Sequence, residues 1–321
     1  MKRFGVLTSG GDTPGMNAAV RAVLKAGLNK GYNVLGIYHG FKGLIDGRIE
    51  QLQYPDVHNI IDRGGTILRT ARSQDFRSEE GQQKAVEVMQ AYNMDGLIVI
   101  GGDGSFNGAN ALAKRGICTV GIPGTIDNDL GYTDFTIGFD TAINNVMSEI
   151  SKIRDTMRAH DRVGVVEVMG RNCGDIALWA GLAGPADIIL LPESPMSWDD
   201  AAKQLMVNKL KGRFTSMVII AEGAGHADDF VDFLKQKTDV EAKAVVLSYI
   251  QRGGDPSTAD RVLATRLGAK AVDLIEQGVM GGRAVGIRNN AIIDVSLDEA
   301  LNTKKVFNEE LYRLNSIMSK F

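Results

Sequence analysis

The chain has 321 residues, 44% of them apolar and 23% charged, with a formal net charge of −3. That balance excludes a disordered chain, and the length suffices for a buried core in one large α/β unit or two smaller lobes. A slightly acidic protein has no general attraction for nucleic acid or an anionic membrane surface, and no apolar run approaches the roughly 20 residues that cross a bilayer.

The opening MKRFGVLTSGG reaches a glycine turn after a short apolar run, so it reads as a first strand rather than a signal peptide. Short apolar runs ending in glycine, proline or charge then recur at 97–104, 118–129, 163–171, 187–193, 216–223 and 244–252. Such runs fit strands buried on both faces, in a parallel sheet covered by helices. Between them, 140–157 places Ile143, Val146, Met147, Ile150, Ile153 and Met157 on one helical face. The fold class is therefore α/β, with two Rossmann-like lobes and mostly parallel sheets. Two lobes are expected, one over 1–138 plus about 251–301 and the other over 139–250 plus about 302–321. Cys118 and Cys173 are the only cysteines and stand far apart, which fits a reducing cytoplasm. The four histidines show no zinc-ligand spacing.

Polar residues cluster just after the apolar runs, at the strand ends where open α/β sheets bind ligands. In SGGDTPGMNAAVRAV (9–23), a glycine turn leads into a helix opened by Asp12, Thr13 and Pro14. Backbone N–H groups and a helix N-terminus can hold phosphate there, although a ligand-free βα turn is the other reading. It is not a Walker A loop, because no Lys-Ser/Thr pair follows the glycines. In GGDGS (101–105), Asp103 sits in an anion-cradling turn with Ser105 as a helix cap. A carboxylate there makes sense if Mg²⁺ lies between it and phosphate. Similar turns occur in lipid and nicotinamide nucleotide kinases, so this motif indicates a nucleotide but not its acceptor.

PGTIDND (123–129) indicates phosphoryl transfer to a hydroxyl: Asp127 is the candidate base, Asp129 is expected to help hold the metal shell, and Thr125 offers a hydroxyl. Basic residues at strand ends (Arg162, Arg171, Arg252, with Lys243) read as a clamp for the acceptor's own phosphate. Glu222 is placed to receive sugar hydroxyls.

The segments SGGDTPGMNAAVR, RGGT (63–66), GGDGS, PGTIDND, TIGFDTA (136–142), MGR and QRGG…DR (251–261) together resemble the bacterial ATP-dependent 6-phosphofructokinase family, collinearly over nearly the whole chain. The resemblance implies a phosphofructokinase-type fold and phosphorylation of fructose 6-phosphate at its 1-hydroxyl by ATP. It makes Asp127 the base, with Thr125 and Arg171 steadying the transferred group. Asp103 would serve Mg²⁺, and Gly11, Arg72, Ser73, Gly102, Asp103, Gly104 and Ser105 would line ATP. The sugar phosphate would be held by Thr125, Ile126, Asp127, Arg162, Met169, Gly170, Arg171, Glu222, Lys243, Tyr249, Ile250, Gln251 and Arg252. A homotetramer with shared active sites is implied, Arg162 and Lys243 arriving from a neighbouring subunit. An effector pocket for ADP or phosphoenolpyruvate is implied at Arg21, Lys25, Arg154, Asp187, Lys211 and Arg213, with Tyr54 and Asn59.

Glycine at 104 and 124, where pyrophosphate-using relatives carry Asp and Lys, favours ATP; the alternatives are a pyrophosphate-dependent enzyme or a silent sugar-phosphate-binding paralogue. Lys243 and Tyr249 replace the family's usual Arg and His, so sugar-phosphate binding is expected to weaken while the chemistry persists. Ser73 stands where many relatives have an aromatic, and Tyr54 and Lys25 dilute the positive charge of the effector pocket.

Overall fold

The structure is a computed structural model that describes residues 2–184, 186–194 and 196–320. In chain order its elements are β1 (Arg3–Thr8), α1 (Met16–Asn29), β2 (Asn33–Ile37), α2 (Gly40–Asp46), β3 (Ile49–Gln51), α3 (Glu79–Ala91), β4 (Gly96–Gly101), α4 (Asp103–Ala113) and β5 (Thr119–Pro123). There follow α5 (Phe139–Ala159), β6 (Val163–Val168), α6 (Asp175–Ala183), β7 (Ile188–Leu190), α7 (Trp198–Leu210), β8 (Ser216–Ala221), α8 (Ala227–Lys237) and β9 (Ala242–Val246). The chain ends with α9 (Thr258–Gln277), β10 (Arg283–Arg288), β11 (Ala291–Ser296), α10 (Leu297–Asn302) and α11 (Glu309–Met318).

These elements form two compact units. One comprises Met1–Ile126, Leu130–Thr141 and Arg252–Lys305; the other comprises Asp127–Asp129, Ala142–Gln251 and Val306–Phe321. The first holds a seven-stranded sheet in the order β11-β10-β5-β4-β1-β2-β3. Its five inner strands are parallel, and β3 and β11 pair antiparallel at the edges. The second holds β7-β8-β6-β9, parallel throughout. The expected mostly parallel α/β architecture is what the chain adopts.

Alternation along each strand sorts side chains to the two faces of the larger sheet. Val6, Ile98, Ile100, Val120 and Ile122 pack with α1 and α9 on one face. Leu7, Leu97 and Val99 pack with α2, α3 and α4 on the other. Strands buried on both faces are mostly apolar, which is why β4, β6 and β8 read as apolar runs, interrupted in β6 by the buried Glu167, whose carboxylate accepts the Ala227 N–H. The edge strands do not read so cleanly. The β10–β11 hairpin turns on Asn289 and Asn290, both at positive φ, between paired Arg288 and Ala291. Asparagine tolerates that conformation, so an Asn-Asn pair between apolar runs was the available signal. No helix among the described residues is long and apolar enough to cross a membrane.

Helix starts separate into two kinds. α3, α7, α9, α10 and α11 begin with a Ser or Asn side chain accepting a first-turn N–H. α1, α2, α4, α6 and α8 begin with no side-chain cap, α1 and α4 at Gly15 and Gly102. Two expectations are corrected here. Gly15, at φ 100°, caps α1, and Pro14 lies in the turn before it, because a left-handed N-cap suits glycine. Gly102, not Ser105, caps α4, and Ser105 sits inside the first turn.

Candidate functional site

The first unit builds its part from backbone. β1 and β4 are adjacent parallel strands, so the glycine turns at 10–11 and 101–104 leave the same sheet edge. The segment after Arg69 is drawn to this edge by Thr70 Oγ1, which donates to Gly10 O at 2.6 Å. It carries Arg72, exposed, and Ser73, whose Oγ accepts the Phe76 N–H at 3.2 Å. A methyl group on Gly11 would meet the Arg252 guanidinium, so the arginine lies directly against this glycine. Arg252 Nη1 lies 3.4 Å from Asp12 O. Arg252, expected to hold the sugar phosphate, thus stands beside the first glycine turn. A Cβ on Gly102 would rest 3.3 Å from Thr125 Cβ, so the second turn abuts the PGTIDND strand end. Thr125 is pinned through its carbonyl, which accepts from Thr136 Oγ1 at 2.6 Å.

Ser105 Oγ is buried there with no hydrogen-bond partner. An uncapped helix N-terminus, close glycines and an unsatisfied hydroxyl are chemically suited to an anion. Asp103, the exposed first residue of α4, receives Asn107 Nδ2 on its carboxylate at 3.3 Å. Among the described residues no group of three His, Cys, Asp or Glu could enclose a metal. One carboxylate beside a phosphate site matches how Mg²⁺ is usually held, by few protein oxygens plus phosphate and water, so these residues fit that ion.

The second unit builds its part from side chains. Asp127 is 2% exposed, and Arg171 Nε lies 3.2 Å from its Oδ2. Arg171 follows Gly170 in the turn after β6, with φ values of 53° and 136°. Glu222, after β8, accepts the N–H groups of both Gly170 and Arg171 on Oε1, at 3.1 and 2.7 Å. Met169 N donates to Gln251 Oε1 at 3.1 Å, tying in the 3-10 turn Ser248–Arg252. Within this unit the structure brings together Asp127, Met169, Gly170, Arg171, Glu222 and Gln251. Tyr249 and Ile250 on that turn are 78% and 50% exposed. Glu222 was expected to face sugar hydroxyls; one of its oxygens is already engaged in shaping the Arg171 turn.

Arg162 and Lys243 do not join this group. They lie at the amino ends of parallel β6 and β9, whereas Met169–Arg171 follow the carboxyl end of β6. Six strand residues at about 3.3 Å each separate the two edges by roughly 20 Å. Arg162 instead pairs with Glu241, Nε to Oε1 at 2.6 Å, and Lys243 is exposed.

The expected effector residues divide between the units. Arg21, Lys25, Tyr54 and Asn59 line one pocket of about 290 Å³ in the first, together with His58. In the second, Arg213 pairs with Asp187. Burial pushes the Asp187 carboxyl up, against the pull of the Met217 N–H and Arg213. Residues missed by sequence reasoning include the buried pair Asn128 and Asp175, joined side chain to side chain, and the exposed Glu193, which accepts the Gly174 N–H.

Comparison with known proteins supplies the family. The model of the family described as Phosphofructokinase matches residues 3–275. A protein of Clostridium botulinum named ATP-dependent 6-phosphofructokinase is 53% identical over 320 residues, covering all of both chains. One of the same name from Alkaliphilus metalliredigens is 51% identical, over 99% of this chain and all of that one. Among solved structures, phosphofructokinase from Saccharomyces cerevisiae superposes with a TM-score of 0.89 at 34% identity; 99% of this chain matches 48% of that longer one. On its motifs, its fold and these matches, the chain belongs to the phosphofructokinase family.

Proposed function

We propose that the chain transfers the γ-phosphoryl group of ATP to the 1-hydroxyl of fructose 6-phosphate, giving fructose 1,6-bisphosphate in the committed step of glycolysis. The observation that carries this reading is the buried Asp127 carboxylate held against Arg171, two residues along the chain from Thr125 at the edge of the glycine cradle. Full-length relatives named ATP-dependent 6-phosphofructokinase support the same donor and acceptor.

The glycine turns and the α4 N-terminus bind the nucleotide phosphates, with Gly11, Arg72, Ser73 and Gly102–Ser105 around ATP. Gly104 faces open space, which leaves room for a nucleotide where a side chain would intrude. Mg²⁺ is the implied cofactor, with Asp103 as its protein ligand, and when bound it neutralises charge on the phosphates. Asp127 takes the proton of the sugar hydroxyl, while Thr125 and Arg171 hold the moving phosphoryl group in line. Met169, Gly170, Glu222, Gln251 and Arg252 orient fructose 6-phosphate.

Arg162 and Lys243, on the far edge of their own sheet, serve the site of a neighbouring subunit in a homotetramer. The pocket at Arg21 and Lys25 holds an anionic effector such as ADP or phosphoenolpyruvate, with a weak response because Tyr54 contributes no charge. The protein works in the cytoplasm.

The test is direct: incubate the protein with ATP, Mg²⁺ and fructose 6-phosphate and follow ³¹P resonances. ADP and fructose 1,6-bisphosphate should appear in equal amounts; ADP without a new sugar phosphoester would reject the reading.

A further inference from the structure

Asn128 stands between the two aspartates of PGTIDND at φ 51°, a left-handed conformation that is uncommon for a residue with a side chain. It is 1% exposed. Its Nδ2 donates to Asp175 Oδ2 at 2.8 Å, in a fully buried contact between residues 47 apart in sequence. Its carbonyl oxygen faces Cys173 Sγ at 3.9 Å. Both contacts come from the turn that carries Arg171, whose guanidinium meets Asp127. Residues 171, 173 and 175 therefore grip 127 and 128 side by side.

The turn making this grip is itself held. Cys173 N donates to Gly170 O at 2.9 Å, Gly174 N donates to Glu193 Oε1 at 2.9 Å, and Glu222 takes the N–H groups of Gly170 and Arg171. Asp175 is the first residue of α6 and 7% exposed. A buried hydrogen bond to a charged group is among the stronger ones, and losing one partner leaves the other unsatisfied.

We propose that Asp175 is a positioning residue for the reaction, acting through Asn128 to fix the left-handed turn that aims the Asp127 carboxylate. This inference rests on the functional reading above and extends it to a residue remote in sequence from PGTIDND. Asp175 does not touch substrate. Its role is geometric, and catalysis is sensitive to geometry: displacing a reacting group by about 1 Å can cost on the order of 100-fold.

The test exchanges donor and acceptor. Asn128→Asp faces two carboxylates toward each other, and Asp175→Asn faces two amides. The double substitution restores one amide–carboxylate pair with its direction reversed, and aspartate also tolerates the left-handed conformation. Asn128→Asp should lower kcat by about 10-fold to 100-fold with KM for ATP unchanged; Asp175→Asn, whose amide oxygen can still accept the Asn128 Nδ2–H, should lose less, and the double variant should recover to within about fivefold of the parent. Asn128→Gly, which keeps the backbone conformation but removes the amide, should lose kcat as Asn128→Asp does, and it provides a second reading should that variant fail to fold.

Full kcat in folded Asn128→Asp or in Asn128→Gly would overturn the inference, as would a double variant no better than Asn128→Asp. Equal losses in kcat and in ATP affinity would also overturn it, since they would mark general damage. Lack of turnover in the unsubstituted protein would overturn the functional reading and this inference with it; an active parent with insensitive variants would overturn this inference alone.

Discussion

In the first unit the anion cradle is made of main chain: glycines at 10–11 and 101–104, an uncapped helix, and a buried serine hydroxyl. In the second, the turn that brings Arg171 to Asp127 is set by side chains that accept N–H groups: Glu222 for Gly170 and Arg171, Glu193 for Gly174. A backbone cradle fails when atoms are added, because a Cβ occupies space meant for the ligand or a neighbour. A side-chain scaffold fails when atoms are removed, because buried donors lose their acceptors. Opposite kinds of substitution should therefore disable the two units.

The sharpest break in that comparison is at the base. Asp127→Ser should reduce kcat by about 10²-fold to 10⁴-fold with ATP binding retained, measured by steady-state kinetics and nucleotide titration. A near-normal rate would remove Asp127 from that role. Next, Glu222→Ala leaves two N–H groups without their acceptor and should cost about 1–3 kcal/mol of stability. It should also lower kcat/KM for the sugar phosphate by about 10-fold to 100-fold through displacement of Arg171. Chemical unfolding and initial rates on one preparation check both.

In the cradle, Gly104→Asp adds atoms where nothing lies within 4 Å. Stability should change by less than about 0.5 kcal/mol. KM for ATP should still rise about tenfold, because a second carboxylate beside Asp103 repels phosphate. A smaller effect is expected from Lys243→Arg, which restores a bidentate fork and should lower KM for fructose 6-phosphate about threefold. No tightening would count against Lys243 as a phosphate ligand.

The mildest test lies outside both regions. Burial alone would raise the Asp294 carboxyl, but hydrogen bonds from Lys270 and Arg283 outweigh it and hold it below the usual range. A lowered folded-state value means stabilisation that is full above the unfolded value of about 4 and is lost as pH falls through the folded one. Asp294→Asn should therefore destabilise at neutral pH and match the parent in strong acid, as thermal melts across pH would show.

The same contrast explains what could be read in the sequence. β1, β4, β6 and β8 were visible because strands buried on both faces are mostly apolar, and the glycine turns were visible because close backbone approach favours glycine. The edge strands β3 and β11 were not, since one exposed edge relaxes that demand. Asp127 and Arg171 came from motifs. The groups that support them did not, because Asn128–Asp175, Gly174–Glu193 and Met169–Gln251 join residues 47, 19 and 82 apart, and none is distinctive alone. Helix starts were misplaced by one to three residues where a glycine capped the helix in place of a side chain.

The central claim is a choice of donor and acceptor, and one experiment addresses it: kcat/KM for ATP–Mg²⁺ and for pyrophosphate–Mg²⁺, each with fructose 6-phosphate, in a single preparation. The account predicts that ATP is preferred by at least about 100-fold, the scale of discrimination a shaped site achieves. Equal use of both donors, or preference for pyrophosphate, would contradict it.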